Sequence, residues 1–532
     1  MNKNLLITIS RYITWITVNI FFVNAIALQL RVRFFLQDLD SAFLVQLIDN
    51  NRTNSSHLLD SPLLNSFGNL WRFLGQPSSY WCAGDYSEKF NGTVIESHPY
   101  LIAVPLNWLK QLFEVDSLNF TVYFFAIVIV AYFNLVIIYT WKYLDNLIVR
   151  LIVLITFFVY PPILTAIQGQ LYFDKIIIFL GPILIHYLYN FYTQGKANYF
   201  ILYPLAFTTM LVSERGTIFV AITSAIFAIK TLSSESHRSS ITGILKFGLI
   251  PLTSVIYFLI WYYHIQKSFY YEANSYFTID SLINRINSLS DVSLGKLVFP
   301  FLAFTVPFLI LIFTLNVWLG TIGLLLILPN LIIDIGGAEL NGYATHYHSL
   351  YAGSIWFLLL LGLRDKINNS KKSKRINKSI ILFTTFLSVV SLVWFQSPGA
   401  IYRNLESNYI PPSTLEIHTE EYQKIQEVVE SLAPNSTLSM TRNFMPFFAM
   451  AEQKKFGYFP VLINEADYVI VLRDPESKLI LDWWFIRDPE NITVVQSCLE
   501  NELLDYKYSI NIELGGKVMS IYSDYGLDNL HK

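Results

Sequence analysis

Asn119–Thr140 reads NFTVYFFAIVIVAYFNLVIIYT, 22 residues without a charged side chain. A helix rises 1.5 Å per residue, so about 20 residues cross the roughly 30 Å hydrocarbon core of a bilayer. Charge returns on both flanks, at Asp116 and Lys142. The stretch predicts a membrane-crossing helix, and the rest of the chain extends that reading. Of 532 residues, 53% are hydrophobic and 14% charged, and the mean hydropathy is +0.43. Soluble domains carry about 25% charge. A soluble enzyme, a disordered chain, a coiled coil and a disulfide-dense secreted scaffold are thereby excluded. A net charge of −2 gives no electrostatic footprint for nucleic acid.

Similar apolar runs predict about eleven spans: 12–30, 119–140, 148–167, 173–192, 199–213, 216–231, 244–263, 298–315, 317–335, 349–363 and 379–396. Lys and Arg in short loops set the orientation. Lys366, Lys371, Lys372, Lys374, Arg375 and Lys378 mark a cytoplasmic loop. Counting outward places Lys3, Arg11, Lys142, Lys196, Lys230 and Arg238 on the same side. The loops 31–118, 264–297 and 336–348 and the tail from 397 then fall outside a plasma (inner) membrane. Segment 1–30 reads as a retained first span, because its apolar stretch is too long for a cleaved signal peptide.

Charge also divides the chain in two. The segment after Ala400 holds 20 acids and 11 bases, and the remainder 19 and 26. The expected fold is an α-helical polytopic membrane domain, 1–396, with a large first outer loop, 31–118. A small extracytoplasmic α/β domain, 397–532, follows. In the outer loop, Trp71, Trp81, Trp108 and the run Leu101–Leu106 suit helices at a membrane interface. In the tail, Glu420–Leu432 has helical apolar spacing with Thr419 as N-cap, and Pro434 and Asn435 end it. Strands are expected at 437–440, 468–472, 508–513 and 518–522.

Four polar motifs stand out against this apolar background, and all four are expected on the outer side. Asp38 and Asp40 follow the first span. Two carboxylates there can share a divalent cation (Mg or Mn) or supply a general base, and a solvated helix cap explains them equally. His98 precedes Pro99 at a helix entrance, where it can face a phosphate or simply sit at the interface. Glu214 and Arg215 lie between two apolar runs. Arg215 can pair with Glu214 or clamp a phosphate with its fork. His346 and His348 enter the tenth span and share a ligand only if the backbone is extended. Asp174 and Lys175 open the fourth span as cavity lining or as a snorkelling pair. Cys82 and Cys498, the chain's two cysteines, can bridge loop to tail. Soluble-type nucleophile elbows, P-loops, HExxH and dinucleotide fingerprints are absent from the sequence.

These residues resemble a prokaryotic family of polytopic membrane proteins catalogued as domain of unknown function 2079. The likeness rests on Asp38 and Asp40 with a later His98, and on Leu328-Pro329-Asn330 followed by His346-Tyr347. It extends to the tail segments Pro434–Ser439, Met445-Pro446 and Ala466–Val469. Two features depart from that pattern: Arg215 follows Glu214 where a second acid is usual, and no proline follows His346 in its span. That family resembles in turn the GT-C glycosyltransferase superfamily. The resemblance implies a polyprenyl-phosphate-linked sugar as donor and a first-loop carboxylate, Asp40 or Asp38, as base. It implies His98, Glu214, Arg215, His346 and His348 around the donor phosphate, and an acceptor that is a glycan, lipid or protein. Two other classes compete. A transporter or channel needs polar residues along a midplane path. A membrane scaffold with a partner-binding tail needs no convergence of the four motifs.

Overall fold

The computed structural model describes residues 3–35, 39–48, 69–70, 86, 100–158, 171–194, 198–233, 241–265, 283, 306–332, 350–369, 412–448, 455–481 and 489–526. Its helices are α1 (Lys3–Phe35), α2 (Leu39–Ile48), α3 (Ala103–Phe113), α4 (Ser117–Tyr143), α5 (Leu147–Phe158), α6 (Lys175–Gln194), α7 (Tyr199–Val212), α8 (Glu214–Leu232), α9 (Ile241–Ile265), α10 (Val306–Leu315), α11 (Val317–Ile332) and α12 (Ala352–Asn369). Helices occupy ten of the eleven predicted segments, in whole or in part. The eleventh, 379–396, lies outside the described residues. Among the described residues, four helices are long and apolar enough to cross a membrane: Ser10–Arg31, Ser117–Tyr143, Lys175–Tyr192 and Glu214–Leu232. Shorter apolar helices, such as Tyr199–Val212, accompany them.

The bundle is held by ordinary packing at its centre and by polar contacts at its edge. α12 is nearly all buried, with Trp356 among its largest fully buried side chains. Glycines let its neighbours approach: a Cβ on Gly353 would stand 2.7 Å from the Ile178 carbonyl of α6. α1 differs, with Tyr12, Trp15, Phe21 and Leu28 on its exposed face. It is tied to α4 through Trp15 Nε1 to Asn134 Oδ1 at 3.1 Å and through Asn134 Nδ2 to Asn19. Such side-chain bonds substitute for the hydrophobic drive that lipid removes. In α3, Trp108, Leu112 and Phe113 are exposed while Ala103 and Leu106 are buried, an amphipathic helix as expected.

The C-terminal part continues with α13 (Pro412–Ser431), β1 (Thr437–Met440), α14 (Met445–Phe448), β2 (Lys455–Tyr458), β3 (Tyr468–Arg473), α15 (Pro489–Leu504), β4 (Tyr508–Leu514) and β5 (Lys517–Ser523). The sheet order is β2-β1-β3-β5-β4, parallel across β2-β1-β3 and antiparallel beyond. All four expected strands are present. Two departures have physical reasons. The helix expected to start at Thr419 starts at Pro412, because proline suits a first helical position whose N–H has no partner. Thr419 is therefore interior. β2 was hidden by Gly457, where a Cβ would lie 2.0 Å from the Val461 carbonyl. Asn435 takes a positive φ of 65° and ends the helical region as expected. The β4–β5 hairpin turns on Gly515 and Gly516, with φ of 47° and 89°.

Candidate functional site

Ser213 alone joins α7 to α8. Its backbone is extended, φ −173° and ψ 176°, and its side chain caps α8 by accepting from Gly216 N at 3.3 Å. The turn is that tight because residue 216 is glycine: a Cβ there would stand 2.0 Å from the Thr209 carbonyl. The geometry fixes Glu214 and Arg215 in the first turn of α8, both buried. Asp174, just ahead of α6, meets them with no exposed surface, 0%. Arg215 Nη1 donates to Asp174 Oδ2, and Ser213 Oγ donates to Asp174 Oδ1. Glu214 Oε1 is 4.0 Å from Arg215 Nη2, the looser contact. Lys175, 1% exposed, adjoins the group. Asp174, Glu214 and Arg215 are in contact, and buried Lys175 is next to Asp174 in the chain, so two acids and two bases are buried here. Balance is what makes deep burial tolerable, because an unpaired ion in an apolar interior carries a penalty of several kcal/mol.

Of the two partners that Arg215 could take on sequence, carboxylate or phosphate, the structure supplies a carboxylate. The tighter contact comes from Asp174, and adjacent Glu214 supplies the looser one at 4.0 Å. On sequence, Asp174 was read with Lys175 as cavity lining or a snorkelling pair, not as the partner of Arg215. Its importance depends on a contact across 41 positions, which local pattern does not carry.

The described flanks of the other motifs come to this same end of the bundle. Ile102 N donates to Leu211 O at 2.9 Å, joining the entrance of α3 to the end of α7. Tyr100 is fully buried, its ring 6.5 Å from that of Tyr172 and 5.2 Å from that of Phe173, immediately before Asp174. His98 itself lies outside the described residues. Leu350 and Tyr351 are buried where α12 begins against the first turn of α6, and His346 and His348 lie outside the described residues. α2 carries Asp40 in its first turn and packs on α3 and α4. Asp38 lies outside the described residues. The structure thus unites Glu214 and Arg215 directly, adds Asp174 and Ser213, and gathers the elements next to the remaining motifs.

The sheet domain reaches the same place. α14, with Met445, Phe447 and Phe448 buried, packs against α2 and touches α1. Leu462 N donates to Tyr86 O at 2.8 Å, so the first loop is fastened to the domain. Tyr86 is buried, and burial with nearby Glu502 pushes its hydroxyl up to about 12. Cys498 of α15 is disulfide-bonded, and Cys82, outside the described residues, is the chain's only other cysteine. Inside the domain, Arg473 forks onto Glu500 at 2.6 and 2.7 Å and donates to Tyr522 Oη at 2.7 Å. That network fixes α15 on the sheet.

Among the described residues, no three His, Cys, Asp or Glu side chains are grouped to hold a metal ion. Of the pair that would share a cation, Asp38 lies outside the described residues and Asp40 is placed only as a position in α2, so no chemical step is assigned to a metal ion. Compared with protein-family models and with curated proteins, the chain matches none.

Proposed function

We propose that the protein is a GT-C-like membrane glycosyltransferase of about eleven spans. In this reading it moves a sugar from a polyprenyl-phosphate donor to an acceptor on the outer face of a plasma membrane. The Asp174 end of the bundle faces outward, and the sheet domain is extracytoplasmic. A polyprenyl-phosphate sugar is half lipid-soluble, so its reactive carbon rests at the interface. A carboxylate of the first loop, Asp40, takes the acceptor hydroxyl's proton as the oxygen attacks the anomeric carbon. The bond from that carbon to the phosphate oxygen breaks, and polyprenyl phosphate leaves. Attack opposite the leaving group inverts the anomeric centre. Charge on the departing phosphate needs preorganised donors. His98, His346, His348 and the Glu214-facing side of Arg215 are the groups assigned to it. Asp174 keeps the Arg215 fork aimed while its own carboxylate stays out of the chemistry, because it is fully buried.

The observation that supports the reading is the meeting of the Asp174–Arg215 pair with the elements next to Asp40, His98 and His346 at one bundle end. The sheet domain docks on the Asp40 helix, as a module presenting an acceptor would. The test measures transfer from radiolabelled polyprenyl-phosphate sugars by purified full-length protein. Asp40→Asn should lower turnover by about 10²–10⁴-fold, the usual weight of a general base, with folding unchanged. Equal turnover in both proteins sinks the assignment.

A further inference from the structure

The helices that build the Asp174 cluster carry a second polar cluster at their opposite ends. Lys142 is in the last turn of α4 and Lys230 in the last turn of α8. His186, Tyr189 and Asn190 lie in the second half of α6, and Arg364 and Asp365 toward the end of α12. Asn316 is the joint between α10 and α11. Among the described residues, one carboxylate is shown in contact with these cations. Asp365 is the carboxylate that meets Arg364, at 3.2 Å, and it is already shared. Its Oδ1 accepts from Tyr189 Oη at 2.7 Å, and its Oδ2 lies 3.4 Å from Asn316 Nδ2. Lys230 is within electrostatic reach of the same carboxylate.

The cations rest instead on three tyrosine faces, Lys142 lying nearest to Tyr139 at 5.8 Å. Arg364 stands 4.9 Å from the Tyr143 ring centre and 4.6 Å from that of Tyr189. Lys142 is 6.0 Å from the Tyr143 centre, and Lys230 is 6.0 Å from the Tyr189 centre. The rings are themselves held: Tyr143 Oη is 2.7 Å from His186 Nδ1, and Asn190 Nδ2 is 3.0 Å from His186 Nε2. Three positive groups from three helices therefore lie against three tyrosine rings, two of which, Tyr143 and Tyr189, are held by hydrogen bonds. A lysine present only to mark a cytoplasmic loop would snorkel away into water. Lys230 stays half-buried and leans on Tyr189. Mutual repulsion among three cations is relieved by an anion placed between them.

We infer that this end of the bundle binds a phosphate-bearing anion, with Arg364, Lys142 and Lys230 arranged around it. Phosphate suits the group because a guanidinium fork matches its oxygens, and lysines add point charge. The exposed apolar residues beside the cations, Ile138, Trp141 and Ile229, favour an anionic lipid headgroup as the source over free phosphate. The inference stands apart from the proposed transfer chemistry, which concerns the other end.

The full chain is reconstituted in nanodiscs of phosphatidylglycerol and phosphatidylcholine, and retained lipid is read by native mass spectrometry. Phosphatidylglycerol should be retained at least about fivefold over phosphatidylcholine, and Lys142→Gln with Lys230→Gln should lower that retention about tenfold. Lys142→Arg with Lys230→Arg should preserve it. If the double glutamine variant does not fold, Lys142→Gln alone, at an exposed position, gives the same reading with a smaller drop. Inorganic phosphate is titrated in parallel. Competition at low millimolar concentration identifies a soluble phosphate, and failure to compete identifies the headgroup. Equal retention of the two lipids with no phosphate effect overturns the inference. So does a glutamine variant that holds phosphatidylglycerol as well as the parent.

Discussion

The two ends of the same helices solve opposite electrostatic problems. At the Asp174 end, two acids and two bases are buried, and Arg215 is committed to Asp174. At the Arg364 end, Arg364 and Lys230 share the Asp365 carboxylate, and Lys142 and Arg364 rest on tyrosine faces. A buried, charge-balanced cluster makes a rigid frame, of which only the Glu214-facing side of Arg215 is proposed to meet a donor phosphate. A half-open, positively charged one makes a receptor for an anion. The difference shows why charge counts alone say little inside an apolar bundle: partners and burial determine what a charge does.

The largest expected effect comes from unbalancing the buried end. Asp174→Ala leaves Arg215 buried without its carboxylate and should destabilise the protein by about 3–5 kcal/mol, read as a large drop in thermal unfolding temperature in detergent. A small drop would mean that Arg215 finds another partner and the cluster is not a rigid frame. Next comes the fastening of the sheet domain beside that end. Cys498→Ser removes the chain's disulfide partner in α15 and should cost about 2–4 kcal/mol in the oxidised protein. The same substitution should have no effect once the parent is reduced. Gly216→Ala forces a Cβ toward the Thr209 carbonyl and should cost about 1–3 kcal/mol, while shifting Arg215. The smallest effect belongs to the open end. Lys142→Gln should change stability by no more than ~0.5 kcal/mol, because its side chain is exposed and rests on rings rather than on an acid. A large loss there would erase the contrast between the ends.

Much of the scaffold could be read from composition and period. The run 119–140 gave a helix at 117–143, because nothing but length and apolarity decides a span. Strands at 437–440 and 468–473 were visible because β-branched and apolar residues crowd into short runs bounded by turn residues. β2 was not visible, since Lys455 and Gly457 look unlike a strand and are allowed by an edge position and a close backbone approach. The helix at 489–504 was likewise unread; among its described side chains Val495, Leu499 and Leu503 are the buried apolar ones. In the site, scarcity of charge singled out Glu214 and Arg215 correctly as a buried pair of ions. It found the Glu214 contact but missed the tighter partner, because Asp174 enters by tertiary contact. The Arg364 cluster escaped notice for a related reason: Lys142 and Lys230 read separately as markers of one membrane side, Arg364 drew no reading, and only packing brings the three to neighbouring tyrosines.

The central claim is that sugar transfer takes place at the Asp174 end. The most direct measurement is a structure of the full chain with a non-hydrolysable polyprenyl-phosphonate sugar bound. The account predicts the phosphonate beside Arg215 and the sugar's anomeric carbon within about one water's reach of the Asp40 carboxylate. Headgroup density found only between Lys142, Lys230 and Arg364, with the Asp174 end empty of ligand, would contradict it.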